Sequence, residues 1–176
     1  MDYATLYGQW FSAPEAYWAD CAKLIDWDVA PSTIFDASSG PYGAWFPGAS
    51  LNTSYNCLDR HIAAGRGDQV ALIWDSPMAD RLEHITYKQA LARVEKIAGA
   101  LRALGVGKGD RVVVYMPMVP EAAFSMLACA RLGAIHSMVF GGFAAPELSA
   151  RINDARPKVI ISSSCGLEPG RIIEYK

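Results

Sequence analysis

The chain has 176 residues, room for one domain or for a small domain with part of another. Apolar residues make up 52% and charged residues 19%, enough for a packed core, and the net charge of −2 offers no basic surplus for nucleic acid or an anionic membrane. Met1-Asp2-Tyr3-Ala4-Thr5 carries neither the flanking charge and apolar run of a signal peptide nor the Arg and Ser of a transit peptide. The most apolar stretch, 119–140, is broken by Glu121, Arg131 and His136 and reads as a buried helix and strand, not a membrane span. Cys21, Cys57, Cys129 and Cys165 are too far apart for a zinc-type pair and are taken as reduced thiols of a cytoplasmic protein.

In chain order, Ser12-Ala13-Pro14-Glu15 reads as a capping box that starts a helix running to Leu24. The Pro-, Gly- and Ser-rich stretch 30–49 is expected to be an ordered loop, because Trp45 and Phe46 would be wasted in a floppy linker. A helix is expected over 55–64, with Leu58 and Ile62 on one face. From Asp68 the pattern becomes regular. Two short strands, 69–74 and 84–87, flank a turn at Ser76-Pro77. Thr86 and Gln89 cap a helix with Leu91, Val94, Ala98 and Leu101 on its apolar face, which Gly105 ends. Strands follow at 111–116, 134–140 and 158–162, separated by helices that open at Pro120-Glu121 and Pro146-Glu147. The second half thus reads β-β-α-β-α-β-α-β, a largely parallel, helix-flanked α/β sheet of four strands with right-handed crossovers. Its last strand ends near Ser164 with no closing element, which predicts an exposed sheet edge and an incomplete fold. The change in style places a domain boundary at 66/67: a helical and loop segment, 1–66, wrapping the start of the sheet, 67–176.

Few residues carry recognisable chemistry. Phe140-Gly141-Gly142-Phe143 lies between a strand and a helix, on the carboxyl side of the sheet where α/β folds bind ligands, and two glycines there admit a ligand close to the backbone. The same four residues also suit a plain tight turn. Neither Gly-x-Gly-x-x-Gly nor a Gly-Lys-Ser/Thr phosphate loop occurs. Glu168-Pro169-Gly170-Arg171 follows the last strand on the same side, and Arg171 has the fork geometry to grip phosphate, although an ordinary solvated turn reads equally well. Ser162-Ser163-Ser164-Cys165 lacks a nucleophile elbow, and His61, His84 and His136 are scattered. No catalytic residue and no metal site is assigned.

Trp45-Phe46 and the eleven positions Leu51-Asn52-Thr53-Ser54-Tyr55-Asn56-Cys57-Leu58-Asp59-Arg60-His61 resemble the N-terminal signature of the short-chain acyl-CoA synthetases, the acetyl- and propionyl-CoA synthetases of the adenylate-forming superfamily. Ile85-Thr86-Tyr87, 107–112, 116–121 and 139–143 continue the resemblance in order over essentially the whole chain. It implies the acyl-adenylate-forming fold and a two-step reaction. ATP and a carboxylate give an acyl-adenylate and pyrophosphate, and the CoA thiol then displaces AMP. It implies ATP, Mg²⁺ and CoA for the intact enzyme, none of them required by these residues alone. The family's phosphate loop, catalytic lysine and acyl pocket have no counterpart in the 176 residues, so this portion is expected to be inactive by itself.

By the same resemblance Phe140, Gly141 and Gly142 fall near bound CoA, and Gly170 and Arg171 match a CoA-contacting pair. Glu168 stands where many acetyl-CoA synthetases carry Arg, and Glu168-Pro169 is closer to the propionyl-CoA synthetases. The CoA-side set is therefore Phe140, Gly141, Gly142, Glu168, Pro169, Gly170 and Arg171. The leading expectation is the N-terminal portion of a propionyl-CoA synthetase, with acetate, butyrate or another short acid as the alternative substrate. The partners are small molecules, with no nucleic acid and no membrane. A non-catalytic assembly module is the reading from another class. It would dock a partner through Trp10, Phe11, Trp18, Trp27, Trp45 and Phe46, which are otherwise expected to pack against the chain's own core.

Overall fold

The computed structural model describes residues 2–175. By contact the chain forms two compact units, Met1–Asn52 and Thr53–Lys176. The division falls upstream of the change in composition at 66/67, so the helical stretch before Arg66 belongs with the α/β unit.

In the first unit, α1 (Tyr3–Ser12) is capped by Asp2, whose carboxylate accepts the Thr5 N–H at 2.8 Å. This helix is absent from the sequence reading, and it changes the role of Ser12. Ser12 ends α1 instead of capping α2 (Pro14–Ala22), and its hydroxyl donates back to Gly8 O at 2.7 Å. Ala13 takes the N-cap place without a side-chain bond, so the expected capping box does not form. The Trp27 indole donates to Ala22 O at 2.8 Å, a carbonyl at the end of α2 that also accepts the Ile25 N–H at 3.2 Å. Residues 30–49 are ordered by a two-residue antiparallel pair, β1 (Phe35–Asp36) and β2 (Ala44–Trp45). Rings hold this unit together: Phe35–Trp45 at 4.7 Å, Trp27–Phe46 at 5.6 Å and Trp18–Trp45 at 6.1 Å between centroids. Within the unit they pack on one another, and Trp10, Trp18 and Trp45 stay 37–44% exposed.

The second unit opens with two π-helical turns, Tyr55–Asp59 and Ile62–Arg66, where a regular helix was expected. Asp59 accepts a bidentate pair from Arg131 at 2.8 and 3.0 Å, which ties this turn to a distant helix. β3 (Val70–Ser76) and β4 (Arg81–Thr86) form an antiparallel hairpin. Thr86 and Gln89 make the reciprocal cap of α3 (Tyr87–Ala103), at 2.9 and 3.3 Å. Val94, Ala98 and Leu101 are buried as the periodicity predicts.

β5 (Arg111–Met116), β6 (Ile135–Phe140) and β7 (Val159–Ser162) form a three-stranded parallel sheet in the order β6-β5-β7. The expected four-stranded core is thus three strands, because β3 and β4 pair with each other instead. Central β5 is buried on both faces, which is why it reads Val112-Val113-Val114-Tyr115 without polar alternation. Val112 and Val114 pack in the cluster that includes Val94 of α3 and Phe124 of α4 (Pro120–Leu132). Val113 and Tyr115 pack with Val139 and with Leu148 of α5 (Ala145–Ala155). The sheet is therefore covered by α3 and α4 on one face and α5 on the other. His136 sits half-buried on edge strand β6, not in the core. A further hairpin, β8 (Cys165–Glu168) and β9 (Arg171–Glu174), follows the sheet and was not expected.

Candidate functional site

The parallel register brings Met116, Phe140 and Ser162 to the carboxyl ends of their strands. There a cleft of about 420 Å³ opens, with Trp74, Met118, Phe140, Gly142, Glu168 and Tyr175 among the residues that line it. Trp74 reaches it from the β3–β4 hairpin, and its indole donates to Met118 O at 3.0 Å. Phe140, Gly142 and Glu168 of the expected set therefore converge. A second cavity of about 330 Å³ is lined by Tyr115, Gly141, Phe143 and Leu148, among others, and shares Gly142 and Tyr175 with the first. Pro169, Gly170 and Arg171 lie outside both cavities, in the exposed tip of the β8–β9 hairpin.

That tip is a two-residue turn between Glu168 and Arg171, which face each other in register. Gly170 has φ +74°, and the Pro-Gly order suits a type II turn. Arg171 is not an isolated cation: its Nε and Nη2 both donate to one Glu168 carboxylate oxygen, at 2.8 and 2.6 Å. The guanidinium and carboxylate side chains are 69% and 42% exposed, so the pair stabilises by about 0–1 kcal/mol and an anion can exchange for it.

The Cβ positions of the turn's glycines are occupied by rings of the same chain. A Cβ on Gly141 would overlap the Tyr175 hydroxyl, with the ring carbon Cζ at 2.6 Å. A Cβ on Gly142 would lie 2.6 Å from the Phe140 ring. The free space beside both glycines is filled by the chain's own rings. The Tyr115 hydroxyl lies 2.9 Å from Phe143 O and 3.2 Å from Gly141 O and shares its proton between them. Its ring centroid is 4.9 Å from that of Tyr175. Burial, with Tyr115, Cys165 and Glu168 nearby, raises the Tyr175 phenol above its ordinary value and keeps it neutral.

Sequence reasoning missed Trp74, Met118, Tyr115 and Tyr175. The signal for Tyr115 was a single polar-tipped side chain in a buried valine strand; for Tyr175 no local pattern marks the role. Among the described residues no group of three or more His, Cys, Asp and Glu side chains is placed to hold a metal ion. Burial pushes the Cys129 thiol up to about 11, so it is an inert core group.

The profile of the AMP-binding enzyme family matches residues 59–172, and that of the acetyl-coenzyme A synthetase N-terminus matches residues 3–57. An uncharacterized protein of Pseudomonas aeruginosa is 51% identical over the whole chain, which spans 28% of its length. The mouse mitochondrial acyl-CoA synthetase short-chain family member 3 is 48% identical over 99% of the chain and 26% of its own length. The acetyl-coenzyme A synthetase of Methylobacterium radiotolerans is 46% identical over 99% of the chain and 27% of its own. The solved acetoacetyl-CoA synthetase from Streptomyces lividans superposes with a TM-score of 0.88 at 26% identity, over 99% of this chain and 27% of that one. The chain thus spans about a quarter of the length of the relatives it matches.

Proposed function

The chain belongs to the AMP-binding enzyme family, and on that premise we propose that it supplies the CoA-side portion of an AMP-forming short-chain acyl-CoA synthetase. The observation that carries the reading is the convergence of the 140–142 turn and the 165–175 hairpin on one cleft at the carboxyl ends of the parallel strands. That is where this architecture binds ligands. The apolar wall of Trp74, Met118 and Phe140 suits the pantetheine arm of CoA, and Arg171, released from Glu168, suits a CoA phosphate.

In the proposed reaction ATP and a short carboxylate form an acyl-adenylate with loss of pyrophosphate, and the CoA thiol attacks its carbonyl to release AMP. The first step needs cationic stabilisation of the departing pyrophosphate, supplied by Mg²⁺ and basic side chains. That step is assigned to parts of the full-length polypeptide outside these 176 residues, because the Ser/Thr/Gly-rich phosphate loop and catalytic lysine expected of the family have no counterpart among them. Propionate is the proposed acid, on the strength of Glu168-Pro169.

The test is acyl-CoA formation by the full-length protein with ATP, Mg²⁺ and CoA, comparing acetate, propionate and butyrate. The expected result is the highest kcat/KM with propionate. A preference for acetate moves the assignment to an acetyl-CoA synthetase, and no thioester from any short acid overturns it. The 176-residue chain alone is expected to release no pyrophosphate from ATP and propionate.

A further inference from the structure

The two segments of the proposed CoA site are far apart in sequence, and nothing in either segment alone fixes their spacing. One ring bridges them. Tyr175 seats its phenol where both Gly141, in the turn, and Gly166, in β8, lack a side chain; a Cβ at either position would overlap its hydroxyl. The Tyr175 N–H donates to Ser164 O at 2.9 Å, which anchors the end of the hairpin that carries the ring. On the turn side, Gly141 N donates to Met116 O at 3.1 Å and Phe143 N to Phe140 O at 3.1 Å. The Tyr115 hydroxyl, on a residue only 6% exposed in the central strand, ties down the Gly141 and Phe143 carbonyls.

We propose that Tyr115 and Tyr175 are positioning residues of the CoA site: Tyr115 fixes the 140–143 turn, and Tyr175 sets the distance from that turn to the hairpin bearing Arg171. The inference rests on the CoA reading above. It assigns Gly141 and Gly166 a role that ligand approach does not explain, since each is required to be bare by a side chain of the same chain. It also fixes the order of effects. Because the proposed reading places adenylation outside these residues, the loss of either tyrosine is expected to act on CoA and not on the carboxylate.

The experiment uses the full-length protein and two assays, propionate-dependent exchange of pyrophosphate into ATP, which needs no CoA, and overall thioester formation as a function of CoA. Tyr115→Phe, which keeps the ring and removes the hydrogen bond, is expected to raise the CoA KM about three- to tenfold, the loss associated with one buried hydrogen bond. Tyr175→Ala is expected to raise it at least as much, and Tyr175→Phe to restore it, since the ring fills the space. Pyrophosphate exchange is expected to stay within about twofold in all three, as befits a loss confined to CoA binding.

Arg171→Ala is the control for the underlying reading. A normal CoA KM in Arg171→Ala sinks the CoA assignment and this inference with it. A raised KM in Arg171→Ala with normal values in Tyr115→Phe and Tyr175→Ala sinks this inference alone. A lowered KM in Tyr175→Ala overturns it too, by showing that the ring is a plug and not a spacer. Parallel loss of both assays marks a purely structural role and also overturns it.

Discussion

In residues 53–175 the side chains of Val94, Val112, Val113, Val114, Phe124 and Val139 are at most 1% exposed, whereas among the described residues 2–52 only Ala22 is buried and Tyr3, Phe11 and Tyr42 are 73–92% exposed. The second unit is held by apolar burial on two faces of a sheet. The first is held by local hydrogen bonds and by rings stacked on rings. Tyr3, Tyr7 and Phe11 show this, lying along one face of α1 with centroids about 6 Å apart. Both units are rich in large apolar side chains, so composition does not separate them. What separates them is whether the elements offer a second layer to bury against.

That contrast is open to attack by mutation. The largest effect is expected for Phe124→Ala, which empties a side chain 1% exposed between α3 and the sheet and should cost about 3–5 kcal/mol in urea unfolding. A loss below about 1 kcal/mol would show that the second unit does not rest on its core, since surface changes alone cost that little. Thr86→Ala removes the reciprocal cap of α3 and should cost about 0.5–2 kcal/mol in the same measurement.

Asp110 gives a smaller, pH-dependent effect. Its carboxylate accepts the Gly107 N–H at 2.8 Å and Lys158 Nζ at 3.0 Å, which lowers its pKa. The folded value is then below the unfolded one. Its contribution is complete above the unfolded value of about 3.9 and is lost as pH falls through the folded value. Asp110→Asn should therefore flatten the acid limb of the stability profile below about pH 4. An unchanged acid limb would remove Asp110 from the account. The smallest effect belongs to the first unit: Phe11→Ala, at a ring 73% exposed, should shift thermal unfolding by no more than about 0.5 kcal/mol. A loss comparable to that of Phe124→Ala would erase the distinction between the two regions.

What the sequence made legible follows the same division. The α/β unit announced itself through periodicity. Val94, Ala98 and Leu101 share a helix face, β5 is an unbroken apolar run, and Thr86 with Gln89 signals its own cap, because burial and capping are local in sequence. Ser12 misled for the opposite reason. A serine before Pro14 satisfies a capping pattern, and only the presence of α1, started by Asp2, shows that the hydroxyl is already committed to Gly8. The β8–β9 hairpin escaped because its strands are four residues each, too short for a periodic signal, with Pro169-Gly170 as their one mark. At the site, the turn and the arginine are legible in the sequence but their relation is not. Tyr175 meets Gly141 and Tyr115 across long stretches of chain, and Glu168 meets Arg171 only once the hairpin closes.

The central claim is that the 140–143 turn and the 165–175 hairpin form one CoA-binding wall. Hydrogen–deuterium exchange of the full-length protein with and without CoA tests it most directly. The account predicts slower exchange on CoA addition in peptides covering 140–143 and 165–175, lost together in Arg171→Ala. CoA-dependent protection elsewhere in the protein, with both of these segments unchanged, would contradict it.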